Sequence, residues 1–468
     1  MRKVGLLLFF LFPSLYLAAQ HKIVLTGKVS NPTSDVVALA LYPNPVSPEE
    51  VLKEVVLDKD NRFRIELESD QPVTADLVYD EEVANLFLQP GDELEVSFKA
   101  SNFAKTLKFK GKGANENNYL AKFVWLFEEN DYYQVLPENI YFREKDFVKF
   151  LDYRKQDQLE NYRRYVKKNP VSEVFKTYAL SEIEYIWAND KLTYQNLREY
   201  IVLSEPRLQL SESYYDFLKT IRVDNQHAAI SPAYRSFMRL YLEHQTDNKN
   251  LKKGDLLYYK ATYELAKQAF QHKNLQLILA RVLNESLRNG PLKYSEEMLA
   301  DYKTLNPKPE VVQYLTEVYN QNKFFALGSI APDFELTSVT GEKVKLSDFI
   351  GKTVYLNFWT TSCGLCLIDQ PYAQHLAEKM EGENVVFLNI AVDDDEEAWR
   401  KMVTKKNLKG VHVISKADNT QLLEQYQVKN LPSYYLIGED GTFINTKPKR
   451  PSSNEAVKEI QAAINKKM

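Results

Sequence analysis

Two periodicities divide the chain. From Lys22 to about Lys110, apolar and polar positions alternate. FRIELE (Phe63 to Glu68) and LEVSF (Leu94 to Phe98) show the pattern clearly. Successive side chains of a strand point to opposite faces, so this period predicts half-buried strands. Turn-forming DKDN (Asp58 to Asn61) and QPGD (Gln89 to Asp92) separate them. Together these predict an all-β domain over residues 20–112, an antiparallel sandwich or barrel. GKGANENN, from Gly111, marks its end.

Beyond Gly113 the period lengthens. Phe147, Phe150, Leu151, and then Leu159, Tyr162 and Val166, recur at three- and four-residue spacings, the mark of one helix face. Between Gly113 and Phe325 lie only three glycines but 22 of the 30 tyrosines. Prolines at 137, 170, 206, 232 and 291 punctuate the segment at helix ends. An all-α region over 113–326 is predicted, with no fixed repeat that would make it a regular solenoid. Tyrosines at helical spacing suit a core with hydroxyls reaching water; they also suit a partner-binding surface.

From Gly328 the two patterns alternate. TVYLNF (Thr353 to Phe358) and VVFLNIAV (Val385 to Val392) are near-continuous apolar runs, as expected of strands covered on both faces. Helical EEAWRKMVTKKN, strands VHVIS, SYYLI and TFINT, and a terminal helix NEAVKEIQAAINK follow. Residues 327–468 therefore read as an α/β domain, making the whole a multidomain chain.

The N-terminal MRKVGLLLFFLFPSLYLAAQ has Arg2 and Lys3, an apolar stretch broken by Pro13 and Ser14, then Ala18 and Ala19. This order predicts a secretory signal peptide over residues 1–19 rather than a bilayer span. No cysteine follows the apolar stretch, so a lipid-attached N-terminus is not expected, and no later run reaches spanning length. Sixty basic against 64 acidic residues give a net charge of −4, which offers no basic surface for nucleic acid. A periplasmic, soluble location is the expectation.

Only two cysteines occur, Cys363 and Cys366, in FWTTSCGLCLIDQP just after a predicted central strand. A strand-to-helix turn would set the Cys363 sulfur at the positive end of the new helix, where unpaired N–H groups and the helix dipole favour thiolate. Thiolate is the attacking species in disulfide exchange. Cys366, one turn on, would resolve the mixed disulfide and leave a Cys363–Cys366 bond. Other uses of the pair fit less well. Zinc needs about four ligands, and no histidine lies at ligand spacing. A structural bridge closing so short a loop constrains the unfolded chain little. A c-type haem site needs His where Leu367 stands. No metal or cofactor is expected.

These residues carry a resemblance. From about Leu327 onward the chain resembles the thioredoxin-like superfamily, and within it the TlpA/ResA-like exported thiol–disulfide oxidoreductases. APDF (Ala331 to Phe334), GEKVKLSDFIGK ending at Lys352, NFWTTSCGLC, Pro371 and NLPSYYLI (Asn430 to Ile437) match. The resemblance implies a redox-active disulfide of catalytic Cys363 and Cys366. It also implies a cis Pro432 facing them, with the Leu431 backbone free to pair with a substrate strand. Asp369 stands where the subfamily often has Glu, and a carboxylate there would take the Cys366 proton, although an acid in a helix's first turns is otherwise an ordinary solvated one. Trp359 would pack beside the site or simply in the core. Ser362 replaces the usual aromatic, Asn357 stands where cytoplasmic thioredoxins carry a buried Asp, and the Gly364–Leu365 pair holds no thiolate-stabilising group, which leans towards the reducing end.

The expected function is therefore an exported oxidoreductase reducing disulfide-bearing exported proteins, itself reduced by a membrane electron donor. Two alternatives stand beside it. One is a partner-binding protein using the β and helical regions with an accessory redox module. The other is a peroxiredoxin-type peroxidase, although Leu356 occupies the place of that family's motif proline.

Overall fold

The computed structural model describes residues 22–42, 44, 46–47, 50–393, 395–416 and 420–465; the predicted signal segment lies outside them. The chain forms two compact units. One runs to Asn250 and includes Glu264–Ile278; the other comprises Leu251–Tyr263 and Leu279 onward.

The first unit opens with eight strands: β1 Lys22–Ser30, β2 Val36–Leu41, β3 Val51–Val56, β4 Arg62–Glu68, β5 Val73–Tyr79, β6 Glu82–Leu88, β7 Glu93–Lys99 and β8 Lys108–Lys112. They build two four-stranded sheets, β4-β1-β7-β8 and β3-β2-β5-β6, whose inward residues, including Leu25, Leu39, Ile65, Leu77 and Val96, share one core. Alternation along β7 (Leu94, Val96 and Phe98 buried, their neighbours exposed) is the period read from the sequence. The antiparallel expectation fails at one seam. β1 and β7 pair in parallel, because the chain builds the whole second sheet before β7 returns beside β1.

GKGANENN is more than a boundary. Gly113, at φ 90°, opens helix α1 (Ala114–Phe123), a left-handed conformation that favours glycine. Asn117 then exchanges hydrogen bonds with the Phe87 amide and carbonyl, both at 2.9 Å, and Asn118 does the same for Phe109 at 2.9 and 2.8 Å. These side-chain amides extend the backbone pairing of both sheets into the helices. Helices α2 (Glu144–Val166), α3 (Glu173–Ile201) and α4 (Pro232–Asp247) follow. Phe87 packs with its ring centroid 5.2 Å from Phe175 and 4.9 Å from Tyr178, so strands and helices share a core across the residue 112/113 junction.

Several buried tyrosine hydroxyls find backbone carbonyls of other segments. Tyr185 donates to Arg222 O at 2.7 Å, Tyr194 to Phe142 O at 2.6 Å and Tyr214 to Lys191 O at 2.9 Å. Each partner lies in a connecting segment or on a neighbouring helix, so the rings pin loops onto the bundle. Helices α5 (Tyr258–Ala269) and α6 (His272–Asn289) each contribute residues to both units, and α7 (Leu292–Thr304) and α8 (Pro309–Asn322) belong to the second. Pro232 takes the first turn of α4 and Pro291 precedes α7, where a missing N–H costs nothing.

In the second unit a seven-stranded sheet has the order β10-β9-β13-β12-β11-β14-β15. Its strands are β9 Glu335–Ser338, β10 Lys343–Lys345, β11 Thr353–Trp359, β12 Val385–Val392, β13 Val411–Ser415, β14 Ser433–Ile437 and β15 Phe443–Asn445. β11 is parallel to β12 and antiparallel to β14, and every residue of it is buried. Helices α9 (Gly364–Lys379), α10 (Glu396–Lys405), α11 (Thr420–Gln425) and α12 (Ala456–Asn465) accompany it. α12 and α9 cover one face through Ile460, Leu376 and Tyr355. Among the described residues no helix is long and apolar enough to cross a membrane.

Phe87→Ala, which empties a fully buried ring site at the strand–helix junction, is expected to lower stability by about 3–5 kcal/mol. Chemical denaturation of the variant should show sheet and helix signals of the first unit melting together.

Candidate redox site

β11 delivers the chain to the site. After Trp359 the backbone turns, with the Cys363 amide donating to Thr360 O at 3.2 Å, and α9 begins at Gly364. A buried carboxylate holds this turn. Asp393, just beyond β12, accepts the Thr361 amide at 2.9 Å, the Thr361 hydroxyl at 3.0 Å and the Thr360 hydroxyl. The turn is thus tied to the neighbouring strand as well as to its own.

Cys363 is the N-cap of α9, extended at φ −80° and ψ 110°. Its sulfur accepts the Cys366 amide at 3.1 Å. An N-cap acceptor satisfies one of the orphan donors of a helix's first turn, so the helix terminus and the sulfur stabilise each other, more so when the sulfur is anionic. The two cysteines are joined as a disulfide, with 5.2 Å between their Cα atoms. Cys366 is buried, whereas Cys363 is half-buried. A sulfur reachable from outside sits one turn from a shielded partner.

Trp359 is 4 % exposed and packs with Cys366, Ala391, Trp399, Val403 and Ile414; Cys363 and Leu431 lean on the same cluster. The Leu431–Pro432 peptide is cis, and β14 starts its pairing with β11 only at Ser433, leaving Leu431 ahead of the ladder. Asp369 is no solvated acid. Its side chain is 3 % exposed, and its Oδ2 accepts the Tyr434 hydroxyl at 3.0 Å and lies 2.9 and 2.7 Å from Nε and Nη2 of Arg450. Arg450, Tyr434 and Asp393 were not singled out from the sequence. Each lies far along the chain, and only strand pairing brings them here.

Behind Cys366 is a cavity of about 40 Å³ lined by Asn357, Trp359, Asn389, His412 and Tyr434 among others. His412 is buried; burial pushes its proton affinity below the usual imidazole value, partly offset by the Lys409 carbonyl 3.1 Å from Nε2. Among the described residues no group of three or more His, Cys, Asp or Glu side chains is arranged to hold a metal.

A disulfide of two cysteines thus stands on a helix terminus just after an interior, buried strand. Residues 326–464 match the Redoxin family. Over 126 residues the chain is 32% identical to the thiol-disulfide oxidoreductase ResA of Bacillus cereus, covering 27% of this chain and 72% of that one. This chain belongs to the ResA-like thiol–disulfide oxidoreductases. The ResA of Geobacillus kaustophilus is 35% identical over 126 residues, 27% of this chain and 71% of the relative. Among solved structures, the thioredoxin domain of a thiol-disulfide oxidoreductase from Bacteroides vulgatus is 25% identical, covering 30% of this chain and 99% of that domain, with a TM-score of 0.28. The C-terminal fold is thioredoxin-like, and the ResA-like chain is an oxidoreductase acting on thiols and disulfides.

Arg450→Met strands a buried carboxylate. The ResA-like domain is expected to lose about 3 kcal/mol at neutral pH, measured by denaturant unfolding. Adding Asp369→Asn should restore much of that loss, because the charge that needed Arg450 is then gone.

Proposed function

We propose that this ResA-like protein is exported and reduces disulfides in other exported proteins. One observation carries the reading: the Cys363 sulfur caps α9 while Cys366 waits, shielded, one turn away. Cys363 thiolate attacks a client disulfide and forms a mixed disulfide, releasing one client thiolate. Cys366 attacks the Cys363 sulfur, expels the second client thiolate and leaves the Cys363–Cys366 disulfide. Two electrons pass to the client, and the expelled thiolates take protons. A thiol donor at the membrane restores the dithiol. No cofactor or metal enters this cycle.

Several features support the parts of this reading. The basic–apolar–small order of residues 1–19 supports export to the periplasm, where client disulfides persist. Leu365, Ile368 and Tyr372 form an exposed apolar stripe along α9 beside the cysteines, suited to the side chains of a loosely folded client. Leu431, ahead of the β14 ladder, supports main-chain pairing with an extended client segment, with Pro432 and Trp359 framing it. Asp369 as proton acceptor for Cys366 has less support, since its Oδ2 is already engaged by Arg450 and Tyr434. Gly364–Leu365, without a charged or imidazole group between the cysteines, supports a reducing potential. Peroxidase chemistry is disfavoured by the commitment of the Thr360 hydroxyl to Asp393. Partner binding by the first unit remains the second reading, and the apolar Val51, Leu52 and Val56 exposed on β3 favour it.

Insulin-disulfide reduction tests the proposal. The wild type is expected to reduce insulin, Cys363→Ser to lose all activity, and Cys366→Ser to stall as a mixed disulfide. Equilibration with glutathione should place the potential nearer ~−270 mV than ~−120 mV. A value near the latter marks an oxidant and contradicts the reductase reading.

A further inference from the structure

One face of the thioredoxin-like sheet carries polar side chains where apolar ones would be ordinary. Tyr434, Asn357, Asn389 and His412 stand directly opposite one another on four adjacent strands, β14, β11, β12 and β13. All four line the cavity behind Cys366. Asn357 donates to Asn389 Oδ1 at 3.1 Å, and Tyr434 donates outward to Asp369. Three atoms of the cavity's lining residues, Asn357 Oδ1, Trp359 Nε1 and His412 Nδ1, are buried with no partner in the protein. Leaving such a group unpaired costs about 1–3 kcal/mol, so three around one cavity call for a reason. A cavity of about 40 Å³ with these unpaired polar atoms among its lining residues has room for water, one molecule of which needs roughly 10–15 Å³.

His412 has a defined tautomer. The Lys409 carbonyl can only accept, so Nε2 carries the hydrogen and the neutral ring presents Nδ1 as a lone pair. His412 is 7 % exposed, and among the described residues lining the cavity none is a carboxylate. Asp369 lies beyond Tyr434, with its Oδ2 engaged by Arg450. The other titratable or charged groups around His412 are Lys409 on its own approach loop, Cys366 on α9, Tyr355 on β11 and Tyr434 on β14. Lys406, at the end of α10, is bound to Gln370.

We propose that His412 Nδ1, through water held against the Tyr434–Asn357–Asn389–His412 row, accepts the proton of Cys366 as that sulfur attacks the mixed disulfide. The inference rests on the exchange cycle above and names the base for its second step. The Cys366 S–H bond breaks and its proton passes to His412. The sulfur's electron pair forms the bond to Cys363, and the bond from Cys363 to the client sulfur breaks. The client leaves as thiolate and is protonated by solvent; His412 then returns its proton to solvent. In the reverse direction the donor thiolate attacks the Cys363 sulfur and the Cys363–Cys366 bond breaks; His412, protonated anew by solvent, passes that proton to the departing Cys366 thiolate. Asn357 and Asn389 are positioning residues that hold the water.

The test is stopped-flow reaction of the reduced full-length protein with 5,5′-dithiobis(2-nitrobenzoate), which separates the two steps. Cys363 releases the first nitrothiobenzoate and Cys366 the second. His412→Gln, whose amide still reaches the Lys409 carbonyl, is expected to slow the second release by about 100-fold at pH 7 while the first stays within twofold. The imidazole inflection in the pH profile of the second phase should vanish in this variant and persist in Asp369→Asn. An unchanged second phase in His412→Gln, or loss of the inflection in Asp369→Asn alone, overturns the proposal. Absence of the second release from the wild type, or its survival in Cys366→Ser, defeats the exchange cycle itself. Should His412→Gln fail to fold, nitrogen-15 NMR of the wild type decides. The His412 titration is expected to differ between the dithiol and disulfide forms, and identical titrations overturn the relay.

Discussion

The ResA-like domain of this protein depends on one short interaction, the Cys366 amide pointing at the Cys363 sulfur at 3.1 Å. A helix start leaves its first N–H groups without intrahelical partners, and here a sulfur takes one of them. An anionic sulfur meets those donors better than a neutral one, so the fold itself biases Cys363 towards its reactive form. Everything nearby serves that placement. β11 is buried along its whole length and paired on both sides, and Asp393 ties the Thr360–Thr361 turn to the end of β12.

The same helix separates two chemistries. Its outer side presents Leu365, Ile368 and Tyr372 to solvent, while its inner side sets Cys366 against the polar row of the sheet. A reactive sulfur on the rim and a guarded one within is what a two-step exchange requires. If both sulfurs were equally open, Cys366 would itself react with outside disulfides and be lost as the resolving thiol.

Much of this was readable from local sequence, and the limits have physical causes. The alternation in β7, the near-continuous apolar run of β11 and the cysteines at a strand-to-helix turn are local signals, and each sits where its period placed it. Long-range pairing was not legible. Nothing near β1 foretells a parallel partner seventy residues on, and GKGANENN read as a break although Asn117 and Asn118 stitch strands to helix. Tyrosine hydroxyls were expected in water, yet several hold backbone carbonyls of distant segments. Asn357, read only as a departure from cytoplasmic relatives, gained meaning once Asn389 and His412 stood in line with it. Asp369 changed most: its helical position is ordinary, yet it is buried, bonded to Tyr434 and paired with Arg450, eighty-one residues later.

The central claim is that the α9 terminus holds Cys363 ionised, and its most direct test is the pH dependence of Cys363 alkylation by iodoacetamide in the reduced protein. A midpoint at about pH 7 or below is predicted, clearly under the ~8.5 of an unperturbed thiol. A midpoint at or above ~8.5 would contradict it.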